Sequence, residues 1–427
     1  MPTARLFLPD TPHLSARTFH APGEALGRLI RLWSRRFRTV LLGLRLTEND
    51  SAVPNRRVDV DLPSRLRTIS WTNASSGSTP RVERRRLEAD RLEPWRVWAA
   101  LAIFNHALLL GVALSQLRWP WLLVAAVPLG LGLATATLTV LHDAGHRRLS
   151  RRTWLNVLAV QSAAPIGLWV AHWTLKHRVH HRVTQVYPLD DSTRASGLVR
   201  LHPSAPRWRV HQFQHIYAWM LYGLAWVGEL RSQLEYVRKG AVASIDTPRT
   251  GVRVASFALE KSLCLLVLAP YAWLMGVGEL TILLVVSMTV GSAIAAVVLV
   301  VGHINTGLSP TSAAPQGRDA WSAHLVRTSA SFSTDNRVAR WLTGGMTHHL
   351  AHHLRATAPR GELPTLHKTT VADVVAASGS PLVEYPTLIT AVQGHWRVLR
   401  VLGRPDPAPA AGQGAAVADR GHVLSHR

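Results

Sequence analysis

Four groups of histidine carry the chemistry that this sequence announces. His142 and His146 bracket HDAGH, His177, His180 and His181 make up HRVHH, and His349, His352 and His353 make up HLAHH. His303 stands alone in VVGHINTG. On a helix, residues four apart lie about one turn from each other, so His142 and His146 project toward a common point. The i, i+3, i+4 spacing of the other two boxes confines three imidazoles to about a third of the helical circumference. Chance rarely writes HxxHH twice in one chain. Together the groups offer nine imidazoles, too many for one ion and suited to two.

The ligand types narrow the metal. Cys264 is the only cysteine, which removes disulfides within the chain and every cysteine-based zinc site. Imidazole suits iron, zinc, copper and nickel. Zinc needs only four ligands, whereas two irons, each with four or five imidazoles and open positions for oxygen, use the whole set. Iron also gives the site a task beside a lipid phase, since activated oxygen removes hydrogen from an unreactive C–H bond. The scattered His106, His172, His202, His324 and His395 read as interior or surface residues rather than ligands. The stretch Met346–Leu354, MTHHLAHHL, raises a local question, because His348 and His352 are also one turn apart. Laying HHLAHH over KHRVHH sets His348 on Lys176, which predicts that His348 is no ligand.

These boxes must be held by apolar elements. Long uncharged runs over 98–117, 121–141, 263–279 and 280–302 approach the roughly 20 residues that a bilayer-spanning helix needs. The fold expected is an all-α membrane protein, with four transmembrane helices in two hairpins. Interfacial helices over 154–171 and 216–227 and a helical cytoplasmic cap complete it. The connections inside the hairpins carry only Arg118 and Glu279, while RRRLEADRLEPWR, HRRLSRR and the C-terminal third are rich in arginine. The positive-inside rule therefore puts both termini and all four histidine groups on the cytoplasmic side. The net charge of +23 is assigned to anionic lipid and not to nucleic acid, because no nucleic-acid-binding motif accompanies it. Arginine and alanine usage fits a GC-rich bacterial genome, hence a bacterial cell membrane. Residues 1–86 form a basic arm, with an amphipathic segment over 25–46 and a polar linker behind it. No cleavable signal peptide is expected, since prolines interrupt the opening residues. The membrane domain covers 87–402, and 403–427 is a low-complexity tail.

At this point the chain resembles the membrane fatty acid desaturase superfamily, whose boxes read HxxxH, HxxHH and [HQ]xxHH. RWRVHQFQHIYAWMLYGL and WSAHLVRTSASFSTDNRVARWLTGGMTHHLAHHL also resemble family segments. The resemblance implies a cytoplasmic cap holding two irons and oxygen-dependent insertion of a double bond into an acyl chain linked to lipid, CoA or carrier protein. Carried over by position, the ligands are His142, His146, His177, His180, His181, His303, His349, His352 and His353. His211 and His215 match family histidines and stand as outer partners of the ligands, as do Asp143, Asp190 and Asp191, whose bland alternative is a loop or cap acid. Electrons come from a separate ferredoxin or cytochrome b5, because no HPGG haem motif is present. The chain departs from the family at His349, Leu350 and Ala351, where Gln-Ile-Glu is typical, and at Arg147 and Arg148, where small residues are usual. The same scaffold serves hydroxylases and ketolases. A rival of another class, a histidine-rich metal transporter, would put ligands in mid-membrane, where His106 is the only histidine.

Overall fold

The computed structural model of the protein describes residues 93–150, 152–162, 166–194, 197–242, 245–246 and 250–405. The basic arm over 1–86 and most of the tail lie outside them. The described chain is mostly helical. Helix α1 (Glu93–Ser115) and helix α2 (Trp121–Ala136) are joined by residues 116–120, and Pro120 sits at the start of α2, where its missing N–H costs nothing. A π-helical turn, Thr137–Leu141, and a short helix α3 (His142–Gly145) continue α2. Helix α4 (Thr153–Gln161) leads to α5 (Val170–Arg182), and α6 (Gln214–Gly223) runs into α7 (Ala225–Lys239). Helices α8 (Thr250–Met275) and α9 (Val277–Val300) follow, and then α10 (Arg318–Thr328), α11 (His349–Leu354) and α12 (Leu388–Leu402).

The longest helices pack together because their small residues permit it. At Gly130 on α2 and Gly291 on α9 the backbones nearly touch, and a Cβ on Gly130 would meet the Ser287 carbonyl at 2.7 Å. Leu109, Leu122, Leu129, Leu280 and Leu283 fill the core between α1, α2, α8 and α9. The outward faces stay apolar: Trp119, Trp121 and Trp273, at the turn end of these helices, are 70%, 62% and 85% exposed. Such tryptophans suit a membrane–water boundary. A second exposed apolar stripe, Phe213, Ile216, Met220, Leu224 and Leu234, runs along α6 and α7, as an interfacial pair requires.

Among the described residues, three helices are long and apolar enough to cross a membrane by length and composition: Arg96–Ser115, Trp121–Gly145 and Val277–Val300. The fourth expected span, 263–279, differs. It belongs to α8, which begins at Thr250, ends at Met275 and turns at Gly276, so Glu279 lies in the first turn of α9 and not in the connection. The N-terminal half of α8 carries buried Arg253 and Glu260 together with Lys261. Glu260 accepts from Val170 N at 2.7 Å, and Lys261 donates to Gln233 Oε1 at 2.7 Å. The remaining apolar half is about 21 Å long, shorter than the hydrocarbon core of a bilayer. A window of hydropathy shows the apolar half and misses the charges that fasten the other half to α5 and α7.

Strand content is small. Ala241–Val242 pairs antiparallel with Ile245–Asp246, and Ser331–Phe332 pairs parallel with Glu384–Tyr385, Ser331 opposite Glu384. The second pair belongs to a core of Leu138, Val298, Val301, Phe332, Met346 and Ala391. That core joins the C-terminal ends of α2 and α9 to the approach to α11, which are the points where three of the four histidine groups begin.

Candidate metal centre

The π-helical turn adds one residue to a turn of the α2–α3 rod immediately before His142, an irregularity that clusters at functional sites. It is held in place from outside. Gly344 sits at φ 63° against it, and a Cβ there would lie 2.2 Å from the Leu138 carbonyl oxygen. Glycine alone fits, for both the backbone angle and the space. We expect Gly344→Ala to cost about 2 kcal/mol or more, read as a lower unfolding midpoint in denaturant. A change below about 0.5 kcal/mol, the range of an ordinary surface substitution, would contradict this packing.

From this frame the nine histidines converge. His142, His146, His177, His181 and His352 bring one ring nitrogen each within 4.8 Å of one another, and His180, His303 and His353 form a second such group. His349 adjoins the second group, its Nε2 lying 2.7 Å from His303 Nε2. Other inner contacts are also short: His177 Nε2 to His146 Nε2 at 2.7 Å, His180 Nε2 to His303 Nε2 at 3.0 Å and His352 Nε2 to His181 Nε2 at 3.2 Å. An ion about 2.1 Å from each of two imidazole nitrogens sets them about 3 Å apart when the bonds meet at right angles. The spacing therefore fits a metal between the rings. The clusters touch, since the His181 and His353 rings stack at 4.3 Å.

Burial keeps seven of these rings in the form that binds metal. Burial, with the charge of His180 second, pushes His177 and His303 down to about 3. His146, His181, His349, His352 and His353 are also held well below the ordinary imidazole value, burial being the largest cause in each. Neutral imidazole is the coordinating species.

Several of the outer nitrogens are braced. His180 Nδ1 donates to Asp190 Oδ2 at 2.9 Å and His303 Nδ1 to the Thr328 carbonyl at 3.0 Å. His353 Nδ1 lies 3.3 Å from Thr184 Oγ1, which itself donates to the His180 carbonyl at 2.7 Å. Trp173 stacks on His177 at 4.9 Å. Asp143 is buried and reaches the cluster through Arg148, which it binds at 2.6 Å, with Arg360 at 3.0 Å on its other oxygen.

The remaining expected partners are elsewhere. Asp191 pairs with Arg194 at the surface. His211 accepts from Trp208 N at 3.0 Å and donates to the Gly197 carbonyl at 2.9 Å, locking a loop. His215 packs its ring edge on Trp396. Among the described residues, no hydrogen bond or ring contact joins these three to the nine histidines. His348 also turns away, with Nδ1 2.9 Å from Thr347 Oγ1 and its ring edge-on to His367. Lys176, its counterpart in the second box, binds Glu229. The isolated His106, His172, His324 and His395 find partners in Tyr271, Glu229, the Thr184 carbonyl and Tyr222.

A cavity of about 310 Å³ reaches His303, lined largely by apolar side chains that include Leu201, Ile304, Leu308, Val398 and Val401. Its size is that of a small ligand pocket.

Apolar helices of membrane-spanning length and a buried histidine cluster compatible with metal binding fit a membrane-associated protein. The chain belongs to the fatty acid desaturase family, whose model matches residues 117–386, and it is accordingly an oxidoreductase. It is 25% identical over 301 residues to the sn-1 linoleoyl-lipid 6-desaturase of Synechocystis sp., covering 69% of this chain and 84% of the relative. The enzyme of the same name from Arthrospira platensis is 27% identical over 54% of this chain and 65% of its own length. The acyl-lipid (8-3)-desaturase of Physcomitrium patens is 24% identical, with coverage of 65% and 60%.

Proposed function

We propose that the protein inserts a double bond into a fatty acyl chain at a centre of two irons, one held by His142, His146, His177, His181 and His352, the other by His180, His303, His349 and His353. The observation that carries this is the convergence of the nine ring nitrogens into two adjoining groups. When bound, the irons supply activation of O2, with electrons from an external donor of the ferredoxin or cytochrome b5 type. Two adjacent methylenes lose one hydrogen each, and O2 with two electrons and two protons leaves as two waters. The chain's own residues do the rest. Asp190 and the Thr328 carbonyl fix His180 and His303 through their outer nitrogens. The buried rings of His349, His352 and His353 keep bulk water from the reacting centre. The apolar cavity at His303 is where the acyl chain lies, and the lipid-linked substrates named for the relatives support an acyl-lipid over a soluble thioester.

In this reading the three apolar helices and the apolar half of α8 enter the bilayer as two hairpins, in a bacterial cell membrane. The metal centre and both termini face the cytoplasm, because the arginine-rich segments do. Filling the cavity tests the substrate path: Leu308→Trp should lower turnover at least about tenfold while bound iron is unchanged, and equal turnover would remove the cavity from the path.

The test of the reaction is expression in cells with a defined lipid pool and mass analysis of the acyl chains. Desaturation gives a product lighter by two hydrogens, and a product heavier by one oxygen would replace it with hydroxylation. If neither appears, and His180→Ala cells have the same acyl chains, the proposed activity fails.

A further inference from the structure

The apolar wall of the cavity at His303 holds two polar groups whose hydrogen-bonding capacity the fold leaves unmet. Gln185 is the first. Its side chain lines the cavity and is 1% exposed, yet Oε1 accepts from no donor among the described residues. Nε2 reaches only Ser192 Oγ, at 3.5 Å. Buried amide groups without partners are rare and destabilising. The backbone fixes this one in place: Gln185 N donates to Asp190 Oδ2 at 2.8 Å, its carbonyl accepts from Thr311 N at 3.4 Å, and its φ is 56°. A residue with a side chain is strained in that left-handed region, and such strain gathers at binding sites. A half-turn of the amide presents either a donor or an acceptor to the cavity.

Arg397 is the second. Helix α12 turns Arg397, Val398, Val401 and Leu402 to the cavity, positions i, i+1, i+4 and i+5 of one helical face. Neither α12 nor the rest of the cavity wall contains an acidic residue. Among the described residues, no carboxylate and no hydrogen bond engages the Arg397 guanidinium. The neighbouring segment shows what the cavity opens toward. Arg207 Nε donates to the Gly403 carbonyl at 3.0 Å, and a Cβ on Gly403 would lie 2.2 Å from the His211 carbonyl oxygen. Residues 207–213 are therefore fastened to the end of α12. Trp208, Val210 and Phe213 there, and Val401 on α12, are 48% to 60% exposed. Large apolar side chains beside an arginine suit the boundary between lipid headgroups and acyl chains, not open water.

We propose that the cavity holds its acyl substrate by the polar end, the Gln185 amide donating to the ester carbonyl and Arg397 binding a phosphate, so that the substrate is an anionic phospholipid. This rests on the reading above that the acyl chain lies in the cavity. An ester carbonyl only accepts, which sets the orientation of the amide, and phosphate oxygens accept from a guanidinium in a charge-assisted pair. A fatty acyl-CoA also carries a carbonyl and phosphates, but the exposed apolar collar favours a ligand that arrives from lipid. A neutral glycolipid shares the ester and gives Arg397 no charge to meet.

The test measures binding on the full-length protein purified in neutral detergent, with radiolabelled dioleoylphosphatidylglycerol, the neutral dioleoyl galactosyl diglyceride and oleoyl-CoA as probes. The wild type should bind phosphatidylglycerol at least about tenfold more tightly than either of the others. Arg397→Gln should weaken phosphatidylglycerol binding about tenfold, as expected for one hydrogen bond to a charged group, and leave the galactolipid unaffected. Arg397→Lys should recover part of the loss. Arg400→Gln removes an equal charge from the same helix, but that guanidinium lies over Trp396 and off the cavity wall, so every affinity should stay within about twofold. Gln185→Leu should weaken both diacyl lipids about threefold to tenfold. It should also raise the thermal midpoint of the lipid-free protein, because it removes a buried group that has no partner until the ester arrives. A merely structural Gln185 would instead give a lower midpoint, which overturns the proposal. Oleoyl-CoA bound as tightly as phosphatidylglycerol also overturns it, as does an equal effect of Arg397→Gln and Arg400→Gln. Should Gln185→Leu not fold, an unchanged phosphatidylglycerol affinity in Arg397→Gln, at its exposed position, rejects the proposal by itself. Because binding is read without turnover, loss of this pattern while desaturation persists removes the phospholipid site alone, and absence of desaturation while the pattern holds removes the proposed activity alone.

Discussion

His349→Ala should lose at least one iron per chain and lower desaturation by more than about 100-fold, because removing a ligand exceeds the 10–100-fold cost of removing its outer support. His348→Ala, one residue away, should keep its iron and most of its activity. Both side chains are buried, at 2% exposure each, so burial does not separate them. Direction does: His349 Nε2 meets His303 Nε2 at 2.7 Å, whereas His348 points at Thr347 and at His367, which binds Glu384 at 3.2 Å. Iron content and product yield of the two purified variants check the contrast. Equal iron loss in both would show that the last box coordinates through a different set of rings.

Asp190→Ala should weaken iron binding about 10–100-fold at the four-histidine position alone. The carboxylate is buried, and three donors surround it: His180 Nδ1 at 2.9 Å, Gln185 N at 2.8 Å and Ser192 N at 3.0 Å. Burial by itself would raise its pKa. The His180 charge and these hydrogen bonds outweigh burial and bring it down to about 2. A carboxylate whose folded pKa lies below its ordinary value of about 3.9 contributes stability that is complete above that value. The contribution is lost as pH falls from about 4 toward 2. Asp190→Asn, which keeps an acceptor for His180 but gives up the charge, should fall between wild type and alanine. Chelator competition at neutral pH measures all three. An Asp190→Ala protein that binds iron as tightly as wild type would mean that His180 needs no partner to hold its orientation.

Much of this centre is legible in the sequence, for reasons tied to particular residues. Spacing within one helix fixes which rings share a face, so HRVHH and HLAHH are readable without a fold. His303 follows from its place at the end of an apolar run, which the structure closes at Val300. Partners brought by tertiary contact are not readable in this way. The Thr328 carbonyl reaches His303 from 25 residues away, and Arg148 reaches His352 across 204. Thr184 left a faint signal, since it stands one turn after His180. Resemblance alone puts His211 and His215 beside the ligands, and in the structure they lock a loop and pack on a tryptophan. The N-terminal half of α8 escaped for a related reason. Its charges are paired with α5 and α7, and no local rule shows that pairing.

The most direct measurement is the metal content of the full-length protein purified from cells supplied with iron. The arrangement of nine histidines predicts two irons per chain, falling to one or none in His349→Ala. One zinc per chain, or iron that survives that substitution undiminished, would contradict it.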